Sequence, residues 1–267
     1  MSIEFQGRVA IVTGAGGGLG KQHALALAKR GAKVVVNDLG GAGAGGDVGD
    51  AGPAEMVARE IKAAGGQAVA NYDSVATMAG GENIVKTAVD TYGKVDILIN
   101  NAGFGRQGEF VERSLEVDLG MIDLNVKALV ADDMIEQGSG KILHVNSTAG
   151  FMLGPLQATY FATKAFVKSF SQALDEALRG KGVTSTVLAP GFVETEFAKA
   201  ADLEDTGLVN GDGATAESVA QHGYDAMMAG KLVTINQFGL RFMINCLMPF
   251  MPYRMKLKMI SKMQTKA

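Results

Sequence analysis

Tyr160 and Lys164 stand four residues apart in the run TYFATK, and Ser147 stands thirteen residues before the tyrosine. A tyrosine and a lysine at that spacing share one helix face and reach the same bound molecule. A phenol, with an ordinary pKa of about 10, is a poor acid at neutral pH. A nearby ammonium can make it useful, provided the chain supplies something for the pair to act on. Alone, such a pair is usually a surface feature.

The chain supplies more. Thr13-Gly14-Ala15-Gly16-Gly17-Gly18-Leu19-Gly20 lies between a strand-like run, RVAIVT, and a helix-like segment. Glycines at Gly14, Gly18 and Gly20, with Leu19 between, let backbone N–H groups approach a pyrophosphate, and the helix N-terminus adds partial positive charge. Asp38 ends the next strand, eighteen residues past Gly20. A carboxylate there accepts hydrogen bonds from ribose hydroxyls and repels a 2′-phosphate. No arginine follows it in LGGAGAGGDVG, so the expected cofactor is NAD rather than NADP. Asn100-Asn101-Ala102-Gly103 follows the fourth strand-like run, Asn125 lies in the helix after it, and Pro190-Gly191-Phe192-Val193-Glu194-Thr195 follows the sixth.

These groups are carried by alternating elements. Strands are expected at 8–13, 34–38, 68–73, 95–100, 141–146, 183–190 and 231–235. Helices are expected near 19–29, 54–64, 82–92, 117–137, 160–179 and 217–229. Continuous Val/Ile runs between helices predict a parallel sheet covered on both faces. The expectation is an α/β fold with a single doubly wound domain and strand order 3-2-1-4-5-6-7. In such a sheet, ligands bind at the carboxyl ends of the strands; Gly14, Asn101, Ser147 and Pro190 all fall there.

The bulk numbers agree with one such domain: 267 residues, 47% apolar, 20% charged, net charge −3. Nothing in that balance calls for nucleic acid. Cys246 is the only cysteine, which excludes an intrachain disulfide and a thiolate metal cluster. His23, His144 and His222 show no ligand spacing, so no metal is expected. The N-terminus enters a strand directly, and the chain closes on QTKA, so neither a signal peptide nor peroxisomal delivery is expected; the expected location is cytoplasmic.

Taken in order, TGAGGGLG, NNAG, Ser-Tyr-xxx-Lys and PG-x-V-x-T resemble the short-chain dehydrogenase/reductase family over roughly residues 5–195. VVVNDLGG and GGQAVANYDSV are similar to the (3R)-hydroxyacyl-CoA dehydrogenase domain of peroxisomal multifunctional enzymes. The resemblance implies a Rossmann fold, Tyr160 as general acid/base, and Lys164 holding the nicotinamide ribose and lowering the phenol's pKa. It implies Ser147 on the reacting oxygen and Asn125 anchoring a water that links Lys164 to solvent. Asp73 matches the family's adenine contact, and Val193 and Thr195 its carboxamide and phosphate contacts; Asn101, Ala102, Gly103, Pro190 and Gly191 complete the cofactor set. Phe104, Met152, Leu153, Leu156, Phe192 and the segment 197–213 are expected to wall an apolar substrate. The implied reaction is NAD(H)-dependent hydride transfer with a lipophilic secondary alcohol or ketone, a 3-hydroxyacyl thioester above all, in a homodimer or homotetramer.

Two features depart from that pattern. The segment from Asn125 to Ser147 is about five residues shorter than the family's, roughly a turn and a half of helix. It leaves open a catalytically impaired, NAD-binding regulatory protein. The 241–267 extension carries six basic residues, no acidic one, and six of the fourteen methionines. A basic amphipathic helix can lie on a membrane surface. The plainer reading, a helical extension over the substrate pocket with lysines in solvent, is preferred to a membrane-surface role, because charge runs are usually solvated faces.

Overall fold

The computed structural model describes residues 4–40, 52–108, 114–126, 132–209 and 213–265. Strand β1 (Val9–Thr13) is wholly buried, as a β-branched run at the centre of a covered sheet must be. It leads through the glycine loop into α1 (Gly18–Lys29), then β2 (Lys33–Asn37), α2 (Pro53–Ala63) and β3 (Gln67–Asn71). Pro53 starts α2, where a missing N–H costs nothing. The chain returns through α3 (Met78–Tyr92) to β4 (Ile97–Asn100) on the other side of β1. Thr77 caps α3 by accepting from the Gly80 N–H at 3.1 Å, and Gly93, at φ +86°, ends it.

Next come α4 (Leu115–Val126), α5 (Asp132–Glu136), β5 (Gly140–Val145), α6 (Ala158–Ala177) and β6 (Val183–Leu188). Two short strands, β7 (Val193–Glu194) and β8 (Ala214–Thr215), pair with each other, with α7 (Phe197–Ala200) between them. Then follow α8 (Ala216–Met228), β9 (Val233–Thr234), α9 (Phe238–Phe242) and α10 (Tyr253–Gln264). The seven-stranded sheet runs β3-β2-β1-β4-β5-β6-β9, all parallel. This is the expected order; the last strand is numbered nine only because the β7–β8 pair intervenes.

Alternation along each strand splits the core in two. Ala10, Val12, Val34, Val36, Ile97 and Ile99 meet α1, α2 and α8 through Leu27, Ile61 and Tyr224. Val9, Ile11, Val35, Leu98 and Ile142 meet Ile84, Met134 and Leu178 on the opposite face. Each such side chain contributes about 1.5–3 kcal/mol by leaving water. At the amino end of the sheet, buried Asp96 accepts from the Val9 N–H at 2.8 Å and pairs with Lys94 at 3.0 Å, tying β1 to β4 away from the ligand end.

The expected single helix over 117–137 is seen as α4 and α5, with 127–131 outside the described residues. The tail is less regular than one helix. After α9 the backbone widens into a π turn at Met243–Leu247, tightens into a 3₁₀ turn at Met248–Phe250, and resumes as α10 after Pro252. Pro249 and Pro252 lack the N–H that a continuous helix would need.

Candidate active site

The glycine loop is shaped by close approach. Gly14 has φ +62°, and a Cβ there would lie 2.9 Å from Ala102 Cα; a Cβ on Gly20 would lie 2.1 Å from the Gly14 carbonyl oxygen. Only glycine fits either place. A Cβ on Gly17 would meet nothing within 4 Å, so the loop fronts open space. No side chain caps α1 and no acid occupies its first turn. Uncapped N–H groups facing open space suit an anion.

Asp38 stands beside this loop. Its carboxylate accepts from the Gly16 N–H at 2.9 Å and the Gly40 N–H at 3.0 Å, fixing the turn while each oxygen keeps further acceptor capacity. Asn101 donates its side-chain amide to the Thr13 and Gly14 carbonyls, both at 3.0 Å. The Asn101 and Ala102 N–H groups donate to Thr13 Oγ1 at 3.0 and 3.1 Å. These residues brace the loop across the β1–β4 crevice, where the strand order reverses. Asp73 sits at the end of β3, its carboxylate accepting from Asn71 and Asn83.

Ser147 follows β5. Its Oγ accepts from the Ala149 N–H at 3.1 Å, starting a 3₁₀ turn over Thr148–Phe151. Tyr160 and Lys164 lie on the first turns of α6, 7% and 6% exposed. Asn146 donates to the Lys164 carbonyl at 2.9 Å, which locks the end of β5 to α6. Lys164 Nζ donates to the Val145 carbonyl at 3.3 Å and lies 5.7 Å from the centre of the Tyr160 ring.

Electrostatics here differ from the sequence expectation. Burial pushes the Tyr160 phenol up to about 12, and its hydrogen bond with Ser147 opposes this only in part. Burial also lowers Lys164 to about 8. The expected depression of the phenol by the lysine therefore loses to desolvation: removing a charge from water outweighs a neighbour that is itself reluctant to be charged. At neutral pH the phenol keeps its proton and serves as a donor.

Asn125 reaches its place despite the short segment that follows. Its amide donates to the Phe104 carbonyl at 2.9 Å and to Thr163 Oγ1 at 3.1 Å, and its Oδ1 accepts from the Phe104 N–H at 3.0 Å. Thr163 in turn donates to the Tyr160 carbonyl at 2.8 Å. Asn125 thus pins the loop after Gly103 to the helix of the tyrosine. A small cavity of about 20 Å³ lies among Thr13, Asn100, Asn125, His144 and Lys164. His144 is fully buried in β5, edge-on to Phe170, and burial lowers it to about 4, so it stays neutral.

Gly14, Gly18, Leu19, Gly20, Asn101, Gly103, Ser147, Tyr160, Lys164, Pro190, Gly191, Val193 and Thr195 all line one cavity of about 310 Å³. Asp38, Asp73, Ala102 and Asn125 lie outside its lining. Of the expected substrate walls, Met152 and Phe192 line it, as do Phe197, Ala198, Leu203, Leu208 and Val209 of the 197–213 segment. Phe104 packs beside Tyr160 in an apolar cluster. Leu153 and Leu156 do not line it; Leu156 sits at φ +65° with its carbonyl accepting from Gly108. Gln157 was missed. It is 1% exposed, lines the cavity, and its Oε1 has no hydrogen-bond partner. Its one sequence signal is a polar residue three positions before Tyr160. Met259 and Ile260 of α10 also join Tyr160 and Phe161, which periodicity in a basic tail does not reveal.

A doubly wound sheet with a glycine loop at its switch point, and a serine, tyrosine and lysine on one wall, defines a nicotinamide-dependent oxidoreductase. The short chain dehydrogenase family model matches residues 8–206, and the chain belongs to that family. It is 42% identical over 197 residues to peroxisomal multifunctional enzyme A of Dictyostelium discoideum, covering 71% of this chain and 44% of that one. It is 38% identical over 203 residues to a 3-oxoacyl-[acyl-carrier-protein] reductase of Synechocystis, covering 74% and 78%. The chain thus spans less than half of the multifunctional enzyme. A gluconate 5-dehydrogenase from Burkholderia cenocepacia, solved with NADP and tartrate, superposes with a TM-score of 0.75 at 24% identity, covering 89% and 96%, and shows the fold.

Proposed function

We propose that this chain catalyses NAD(H)-dependent hydride transfer on a lipophilic secondary alcohol or its ketone, with a 3-hydroxyacyl thioester as the substrate class. The observation that carries the reading is one cavity with the glycine loop on one side, Ser147, Tyr160 and Lys164 on another, and apolar side chains on the rest. Its relatives' names include 3-oxoacyl reduction. Asp38 favours NAD: a 2′-phosphate beside a carboxylate would be repelled, and no arginine follows to receive it.

The residues present fit such a cofactor. The uncapped start of α1 would hold the pyrophosphate with Thr195 beside it, Asp38 the adenosine ribose, Lys164 the nicotinamide ribose, and Val193 the carboxamide. When bound, the nicotinamide supplies or accepts the hydride, and its oxidised form adds a positive charge beside the phenol. Tyr160 gives its proton to the carbonyl oxygen during reduction and takes it back during oxidation. Ser147 holds that oxygen by a hydrogen bond that strengthens as charge develops. Asn125 keeps the loop of Phe104 against α6, and the small cavity beside it has room for one water next to Lys164. Phe192, Phe197, Leu203 and Leu208 exclude bulk water from the reacting atoms.

Loss of catalysis through the short segment after Asn125 is disfavoured by the intact hydrogen bonds of that residue. Apolar Leu119 and Ile122 on α4, 51% and 42% exposed, and Phe166 on α6, 47% exposed, suit a homo-oligomeric contact. A cytoplasmic location goes with this reading.

The test is absorbance of the reduced nicotinamide for wild type and Tyr160→Phe, with hydroxyacyl thioesters and other secondary alcohols. Wild type should turn over with NAD. The variant should bind NAD and lose about 10²–10⁴ in rate. Equal rates for the two proteins would refute the role of the phenol.

A further inference from the structure

The stretch from Phe238 to Leu257 turns an apolar and a cationic surface outward together. Phe238, Leu247, Phe250 and Tyr253 are 73%, 52%, 87% and 73% exposed, and Phe242, Met255 and Leu257 are exposed as well. These seven are among seventeen large apolar side chains exposed across the described residues, so the stretch is strongly enriched. Its inner side is anchored: Ile244 and Met248 are buried against Val187, Ala189 and Ile235. The outward side chains are therefore held in place by a packed underside.

Cations are interleaved with them. Arg241 lies 5.4 Å from the Phe238 ring centre and Lys256 4.8 Å from that of Tyr253. Arg241, Arg254 and Lys258 are exposed, and Lys256 is half-buried. No acidic residue occurs from Arg241 onward, although the chain as a whole carries −3. No helix of the described residues is long and apolar enough to cross a bilayer. Prolines 249 and 252 keep the helical pieces short.

We propose that this face docks on the surface of an anionic phospholipid bilayer. Aromatic rings settle at the headgroup level, and lysine and arginine meet the phosphates there. A second copy fits less well. A two-fold contact through this stretch would set cation against cation, with no acidic residue within the stretch from Arg241 on to relieve it. The docked stretch runs on into α10, whose Met259 and Ile260 pack with Tyr160, so the membrane face adjoins the wall of the catalytic cavity. A lipophilic substrate would then have a short path from the bilayer. The proposal goes beyond the hydride-transfer reading and stands without it.

Cys246, the only cysteine, is exposed in the middle of this stretch and can carry an environment-sensitive fluorophore. Vesicles of phosphatidylcholine with phosphatidylglycerol should blue-shift its emission and pellet the unlabelled protein, with reversal by added salt. Pure phosphatidylcholine should do neither. Replacing Arg241, Arg254, Lys256 and Lys258 by Gln should weaken binding about fivefold per charge removed. Leu247→Ser with Phe250→Ser, at exposed positions, should fold as wild type by circular dichroism and lose pelleting. A full chain that stays in the supernatant with anionic vesicles overturns the proposal, as does equal pelleting with neutral ones. A fall in oligomer mass for the double serine variant, with unchanged vesicle binding, would make the face a contact between proteins instead.

Discussion

Lys164→Met should make the cofactor-free protein more stable while removing its activity. Lys164 is 6% exposed, and burial lowers its pKa from 10.5 to about 8. Below pH 8 it is charged in both folded and unfolded chains, and only the folded chain bears the desolvation. At 1.36 kcal/mol per unit this costs about 3 kcal/mol. Methionine fills similar apolar space without a charge. It also gives up the bond to the Val145 carbonyl, worth about 1 kcal/mol. The net gain at pH 7 is about 2 kcal/mol, or about 4 °C in Tm. The sign with pH follows from the unfolded chain holding the extra proton between pH 8 and 10.5. Wild-type stability rises relative to the variant across that window, and the advantage of methionine disappears by its top. Urea unfolding followed by circular dichroism suits a chain with no tryptophan. A variant less stable at pH 7, or a difference that stays flat from pH 7 to 10.5, would refute the reasoning.

Three further outcomes follow from the geometry. Asp38→Ala should lower the ratio of kcat/KM with NAD to that with NADP by about tenfold or more, since repulsion of the 2′-phosphate is removed; initial rates with both cofactors measure it. Gly20→Ala puts a methyl group 2.1 Å from the Gly14 carbonyl and 2.4 Å from Asn101 Nδ2. The loop must shift, so NAD titration should show at least about tenfold weaker binding, with about 1–3 kcal/mol lost in stability. Leu119→Glu with Ile122→Glu should reduce the sedimenting mass to that of one chain without a change in the folded circular dichroism spectrum, because both side chains are already exposed.

The sheet order was legible because most strands carry an apolar run between helical segments, and burial on both faces keeps that run unbroken at the centre of β1, β2 and β4. The site was legible for a related reason. Gly14, Asn101, Ser147 and Pro190 each follow a strand directly, so a correct reading of the strands already places them at one end of one sheet. What was hidden depends on contacts between distant segments. The phenol's raised pKa comes from burial under Phe197 and its neighbours, and nothing in TYFATK records that. Gln157 is silent for the same reason, since its burial comes from the cavity rather than from its own helix. The expected C-terminal helix was broken by a π turn and two prolines. Its Ile260 joins the apolar cluster of Tyr160 and Phe161 only through packing between distant segments.

The walls around the substrate carry a small core of their own. Ala198, Ala201 and Leu203 are buried together against Phe192, Phe197, Leu208 and Val209, and Thr206 donates to the Leu203 carbonyl at 2.7 Å. The β7–β8 pair brings the two ends of the excursion side by side. Ser147, Tyr160, Lys164 and the glycine loop all lie outside it. Such a unit can be rewritten largely as one piece: Ala198, Ala201 and Leu203 pack within it and its ends already meet, while its ties to the rest include Phe197 beside Tyr160 and the Ala201 carbonyl accepting from the Gln107 N–H. Descendants of this chain can thus acquire a new substrate by rewriting the walls at 197–209, while Val193 and Thr195, at the first end of the insert, stay with the cofactor.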